Sequence, residues 1–186
     1  MSPLRRRRVS LGMASESLIR IVRAKDGDEL AAAAMLFREY VASLPFPLDY
    51  QGFDAEVAAL PGKYAEPGGC ILLAVGGEVG RPEGEYLGCI ALRPLDASGL
   101  RAGDGTPVCE MKRMYVRPAA RGLGAGRLLA EELISFARSA GYRMMKLDTE
   151  STFVAATALY RSLGFAECER YNDDPQPETI WMRRAL

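Results

Sequence analysis

The chain has 186 residues, 48% apolar and 26% charged, an ordinary globular composition with enough length for a full core. Lysine plus arginine equals aspartate plus glutamate at 24 each, so charge directs it neither to nucleic acid nor to a membrane surface, and no apolar run approaches the ~20 residues of a membrane-spanning helix. Histidine is absent, which excludes a histidine base, Ser-His-Asp and Cys-His arrangements and the commonest zinc ligand; no metal is expected, and acid–base work falls to carboxylates, tyrosines, cysteines, lysines or water.

Residues 1–16 read as a solvated, disordered basic tail, because Arg5 to Arg8 are not followed by the apolar stretch of an export signal. Whether translation starts at Met1 or Met13 stays open. "SLIRIVRA" (17–24) alternates and is β-branched, as in a strand. "DGDELAAAAMLFREYVASL" follows as a helix capped by Asp26 or Asp28 and ended by Pro45 and Pro47. A shorter helix is predicted from about Phe53 to Pro61. Three strands come next, "CILLAVGG" (70–77), "EYLGCIALRPL" (85–95) and "PVCEMKRMYVRP" (107–118), separated by glycine-rich loops that suit hairpins. Cys70, Cys89, Cys109 and Cys168 form no CxxC pair and read as reduced thiols of a cytoplasmic protein.

A helix is predicted from about 122 to 140, with Leu128, Leu133, Ile134 and Ala137 on one face and Gly141 at its end. "YRMMKLDT" (142–149) is a strand, "TFVAATALYRSLG" (152–164) a helix, and "FAECERY" and "TIWMRRA" final strands around the loop "NDDPQPE". The order β-α-α-β-β-β-α-β-α-β-β is that of a single α/β domain over 17–186, with a mixed sheet of about seven strands.

"RGLGAG" (121–126) places Gly122, Gly124 and Gly126 where a helix begins, although each glycine costs about 1 kcal/mol there relative to alanine. Helix-start N–H groups lack intrahelical partners and carry the positive end of the macrodipole. Glycines leave that backbone open to a phosphate, and Arg121 and Arg127 flank it. There is no GxxxxGK[ST], so a P-loop is excluded. The GxGxG spacing, with Arg127 where the dinucleotide fingerprint wants its last glycine, disfavours a nicotinamide site.

"MKRMYVRPAARGLGAGRLL" (111–129) resembles the signature of the GNAT superfamily of acetyl-CoA-dependent N-acetyltransferases, whose core pattern is [QR]-x-x-G-x-[GA]. "ALYRSLGF" (158–165) resembles its second hallmark, and the element order is similar, so the resemblance spans about 17–186. It implies a mostly antiparallel sheet flanked by helices, with the diphosphate of acetyl-CoA on the amides of Arg121, Gly122, Leu123, Gly124, Ala125, Gly126 and Arg127. The pantetheine arm would run along Met114, Tyr115 and Val116, with the strands 107–117 and 142–149 splayed around it and the Met114 amide donating to the thioester carbonyl. Tyr160 takes the family's tyrosine position as acid or hydrogen-bond donor to sulfur.

Strict alternation puts Glu110 on one face with Lys112 and Met114, which makes Glu110 the expected base, with a water relay through Asp148 or Glu150 beside it. Phe153 stands where the family often has an asparagine that contacts the cofactor arm, and Thr152 or Thr157 is available to substitute. The acceptor is expected between "LPFPLDYQGF" and "NDDPQPE", with Phe46, Tyr50 and Phe53 as an apolar wall and Asp148, Asp173 and Asp174 near a cationic amine. The function so implied is acetyl transfer to a primary amine, expected on a small molecule, with amino acids, polyamines, antibiotics and protein N-termini all left open as acceptors; a CoA-binding sensor without turnover stays open, as does a homodimer.

Overall fold

A computed structural model describes residues 6–11, 15–78, 84–95 and 106–186. The chain runs β1 (Arg6–Leu11), β2 (Ser15–Arg23), α1 (Gly27–Ala42), α2 (Phe53–Ala58), β3 (Cys70–Glu78), β4 (Glu85–Leu95), β5 (Val108–Val116), α3 (Ala125–Ser139), β6 (Met144–Glu150), α4 (Val154–Ser162), β7 (Ala166–Glu167) and β8 (Thr179–Ala185). From β2 onward this is the expected order. The tips of the two glycine-rich loops, 79–83 and 96–105, lie outside the described residues.

The sheet has the order β1-β2-β3-β4-β5-β6-β8-β7. β1 falls within the stretch expected as a disordered tail; its backbone pairs antiparallel with β2 from Arg6↔Arg20 to Leu11↔Ser15, adding an eighth strand to the seven read from the sequence. Expected residues 165–171 yield only the two-residue β7, after which the chain leaves the sheet.

α1 and α2 cover one face of the sheet and α3 and α4 the other. β4 is buried from both sides, with Cys89, Ile90, Ala91 and Leu92 fully inaccessible, which explains its continuous apolar run. Asp26, rather than Asp28, caps α1 by accepting from the Glu29 amide, while the Glu29 carboxylate accepts from the Lys25 amide. Leu129 and Leu133 of α3 are fully buried, each worth about 2 kcal/mol of transfer free energy.

β5 is the strand on which the fold turns. Its parallel pairing with β6 covers Val108↔Met144, Cys109↔Met145 and Glu110↔Lys146 before the two strands part. Against β4 its register slips by one: Cys89 faces Tyr115, but Ala91 faces Lys112. The extra residue makes a bulge at Arg113 and Met114, and Arg113 takes φ 56°, left-handed backbone that non-glycine residues seldom adopt.

The bulge overturns the expected alternation. Met114 joins Cys109 and Met111 against α3 and α4, while Tyr115 packs with the α1 side. Glu110 and Lys112 remain on the α1 side, so Met114 does not share their face.

Candidate active site

Where β5 and β6 part, a cavity passes through the sheet. Tyr40, Phe46 and Leu48 line it from the α1 side; Phe153, Ala156 and Tyr160 of α4 line it from the other. Met114 and Glu150 stand on its strand walls. The cavity is therefore lined from both faces of the sheet.

Met114 links the cavity wall to the glycine turn. Gly122 and Gly124 have φ 81° and 87°, so the chain turns through left-handed positions and the regular helix begins at Ala125, later than the sequence predicts. Gly126 serves differently: a Cβ there would lie 3.1 Å from Met114 Cε and 3.6 Å from Val116 Cγ2, so the missing side chain lets α3 approach β5. A Cβ on Gly122 would meet nothing within 4 Å.

Two amides of the turn are occupied, Arg121 donating to the Pro118 carbonyl at 3.2 Å and Leu123 to the Ala120 carbonyl at 3.4 Å. Among the described residues no protein acceptor takes the amides of Gly122, Gly124, Ala125, Gly126 or Arg127; the first helical bond is Leu128 to Gly124. These are the open donors an oxyanion of phosphate type requires. Arg121 gives its Nε to the Val116 carbonyl at 3.2 Å, and Arg127 donates to Ser162 Oγ at 2.7 Å, so both guanidiniums are anchored beside the turn.

Met114 and Arg113 have no register partner on β4, and β6 has already left on the other side. The backbone conformation here is held from α2. Arg113 sends Nε and Nη2 to the two oxygens of Glu56 at 2.7 and 2.9 Å, and Nη1 to Gln51 Oε1 at 3.0 Å. Lys63 pairs with the same carboxylate, and Tyr64 donates to it at 2.9 Å. Burial would push Glu56 up, but the hydrogen bonds and charge of Arg113, with Lys63, hold it down at about 2.

Tyr160 is buried in the cavity wall, and no described protein group hydrogen-bonds its hydroxyl. Burial, with smaller contributions from Tyr40 and Asp148, pushes this phenol well up, so it keeps its proton. Phe153 precedes α4 and lines the cavity. Of the two threonines expected to replace the missing amide, Thr152 is exposed, whereas Thr157 is buried with an unpartnered Oγ1 among the described residues.

Glu110 does not line the cavity. It is fully buried at the closed end of the parting strands, accepting from Arg93 Nε at 2.6 Å and from the Tyr171 hydroxyl at 2.9 Å. The carboxylate expected as base is thus engaged by both groups, away from the cavity lining. Asp148 is engaged too: Lys112 Nζ lies 2.9 Å away, and Asn172 donates to it at 3.4 Å. Burial would raise Asp148, but the Lys112 charge and hydrogen bond hold it below the usual carboxylate range. Glu150 faces the cavity and accepts only from Thr179 Oγ1, at 3.0 Å, among the described residues. Burial raises it, with Asp174, Asp148 and Glu178 adding to the effect against the Thr179 hydrogen bond.

On the acceptor side Phe46 and Leu48 supply apolar surface. Phe53 is instead buried, with the Arg113 guanidinium 5.5 Å above its ring. Tyr50 is a polar latch, donating to Asp174 Oδ2 at 3.0 Å and so tying the segment before α2 to the β7–β8 loop. Asp173 points its side chain fully into solvent and pairs with Arg170 at 3.8 Å, so Asp174 is the aspartate at the cavity. Sequence reasoning passed over Tyr40, Gln51, Glu56 and Arg93, whose roles arise from contacts across the fold.

The sequence profile of the Acetyltransferase (GNAT) family matches residues 48–165. An uncharacterized N-acetyltransferase of Schizosaccharomyces pombe is 38% identical over 172 residues, covering 92% of this chain and 97% of that protein. In fold, the chain is similar to an acetyltransferase of GNAT family from Staphylococcus aureus, at TM-score 0.67 and 20% identity, covering 90% of this chain and 99% of the other. It is also similar to a chain of the NatC complex bound to Gag peptide and CoA, at TM-score 0.66 and 20% identity, covering 90% and 98%.

Proposed function

The chain belongs to the GNAT acetyltransferase family, and from that premise we propose that it moves an acetyl group from acetyl-CoA to a primary amine of a small molecule, by direct attack within a ternary complex. It is an acyltransferase; the donor, the acceptor class and the residue roles are the proposal. The observation that carries it is the joining, in one cavity through the sheet, of the Met114 bulge, the Tyr160 hydroxyl and Glu150, beside a helix start with unpartnered amides. A fold neighbour's complex with CoA is in keeping with it.

In this reading the amides of Gly122 and of Gly124 to Arg127 bind the diphosphate, and Arg121 and Arg127 add charge. The pantetheine arm fills the gap left by β6 along Met114 to Val116. The Met114 amide donates to the thioester oxygen as negative charge develops there, a contribution of roughly 3 kcal/mol for a well-placed donor. Glu150, directly or through one water, takes the proton the amine loses. The carbon–sulfur bond breaks as the nitrogen–carbon bond forms, and Tyr160 donates a hydrogen bond to the departing sulfur.

Thiol release from acetyl-CoA against a panel of primary amines tests the reading. Turnover is expected with at least one small amine and is expected to fall on acidification through a pKa above the ordinary glutamate value, because Glu150 acts deprotonated and burial raises it. CoA binding with no thiol release from any amine would leave a sensor, not a transferase.

A further inference from the structure

A second hollow adjoins the cavity on the α1 face and shares Tyr50, Gln51, Lys112 and Asp174 with it. Its other walls bring in Lys63, Arg93, Asn172 and Asp173. The arrangement of charge is layered. Lys63, Arg93 and Lys112 each have a carboxylate partner, in Glu56, Glu110 and Asp148, and those carboxylates lie behind them at 3%, 0% and 8% side-chain exposure. Lys63 and Arg93 stand in front at 36% and 30%.

The acidic residues at this hollow are committed elsewhere. Asp174 accepts through Oδ2 from Tyr50 and Gln51, and through Oδ1 from the Gln176 amide, with Thr179 Oγ1 3.1 Å from the same oxygen. Asp173, on the wall of the hollow, projects its side chain into solvent and pairs with Arg170 at 3.8 Å. Arg93 differs from the other cations. Glu110 takes its Nε at 2.6 Å, and among the described residues its two terminal nitrogens have no hydrogen-bond partner. A fully buried carboxylate thus fixes a guanidinium whose fork is open among the described residues, the geometry that receives a second carboxylate by paired hydrogen bonds.

We propose that the acceptor amine carries its own carboxylate, as an amino acid does, and that Arg93 binds that carboxylate in the side hollow while the amine reaches the thioester in the main cavity. This deepens the acetyltransferase reading and rests on it. It also replaces the expectation that acidic loop residues draw in a simple cation. Lys63 adds attraction at the rim, and Lys112, held between Glu110 and Asp148, stands where the two spaces meet.

The test compares kcat/KM for α-, β-, γ- and ε-amino acids with that for their neutral amides. Wild-type protein is expected to prefer at least one acid over its amide by 10-fold or more. Arg93→Gln should reduce that preference to within about 3-fold, with turnover of the acid falling more than that of its amide, because the fork adds charge-assisted bonds only to the acid. Should Arg93→Gln fail to fold because Glu110 is left unpaired, the double change Arg93→Gln/Glu110→Gln keeps the pair neutral and makes the same comparison. Lys63→Gln should lower the preference by a smaller factor. Equal turnover of acids and amides in wild-type protein overturns this inference and leaves the transferase standing; thiol release from no acceptor at all takes down both.

Discussion

Tyr160→Phe is expected to lower kcat about 100-fold, or roughly 2.7 kcal/mol of transition-state stabilisation, while changing acetyl-CoA affinity by less than a factor of about 3. The phenol is buried and strongly raised, so it is a poor acid in the resting site. In the proposed mechanism its value lies in donating a hydrogen bond when the sulfur acquires charge, from a buried position in the cavity wall. The same variant should keep its thermal midpoint, because no described protein group bonds the hydroxyl and only its oxygen is removed. Wild-type kcat in the folded variant would take the hydroxyl out of the chemistry.

Glu56→Gln should have the largest effect on stability. It leaves the Arg113 guanidinium, 2% exposed, without its counter-charge, a loss of about 3–5 kcal/mol for a broken buried pair. For a chain of this size that is a fall of roughly 10 °C in thermal midpoint. The clamp also holds a left-handed arginine whose backbone costs of order 1–2 kcal/mol. Weakening it lets the bulge relax, so kcat should fall more than acetyl-CoA affinity as the Met114 amide loses its aim. The pH dependence follows from the depressed pKa. Glu56 titrates at about 2 in the folded chain against 4.5 ordinarily. Its contribution of about 3 kcal/mol is therefore complete above pH 4.5 and lost as pH falls toward 2. Denaturant titrations across that window should show wild-type protein losing this increment and Glu56→Gln lacking it throughout. Equal stability of the two at neutral pH would contradict the clamp.

Much of the fold was legible because it is local. Alternation, caps and glycine stops gave the elements from β2 onward, and two short motifs gave the helix start and Tyr160. The glycines conveyed their location better than their individual roles: Gly126 is a packing glycine, a fact that only its 3.1 Å approach to Met114 reveals. The bulge was hidden because its left-handed residue is an arginine, where sequence signals such positions by glycine or asparagine. Missing it put Met114 on the same face as Glu110 and Lys112, from which the bulge removes it.

The acceptor side was least legible. Nothing local separates Asp173 from its neighbour Asp174, yet one points into solvent and the other ties two segments together. Glu56 and Arg113 are 57 positions apart in sequence and meet only once α2 packs on the bulge of β5. Arg93 and Glu110 meet through β4–β5 register, which the hydrophobic pattern leaves undetermined on two strands buried from both sides.

The central claim is that bare amides at the start of α3 hold the diphosphate of the coenzyme. Amide chemical shifts of nitrogen-15-labelled protein, followed during a titration with CoA, test it directly. The account predicts the largest perturbations at Gly122, Gly124, Ala125, Gly126 and Arg127, with smaller ones along Met114 to Val116. Binding that leaves those five resonances in place and moves others would contradict it.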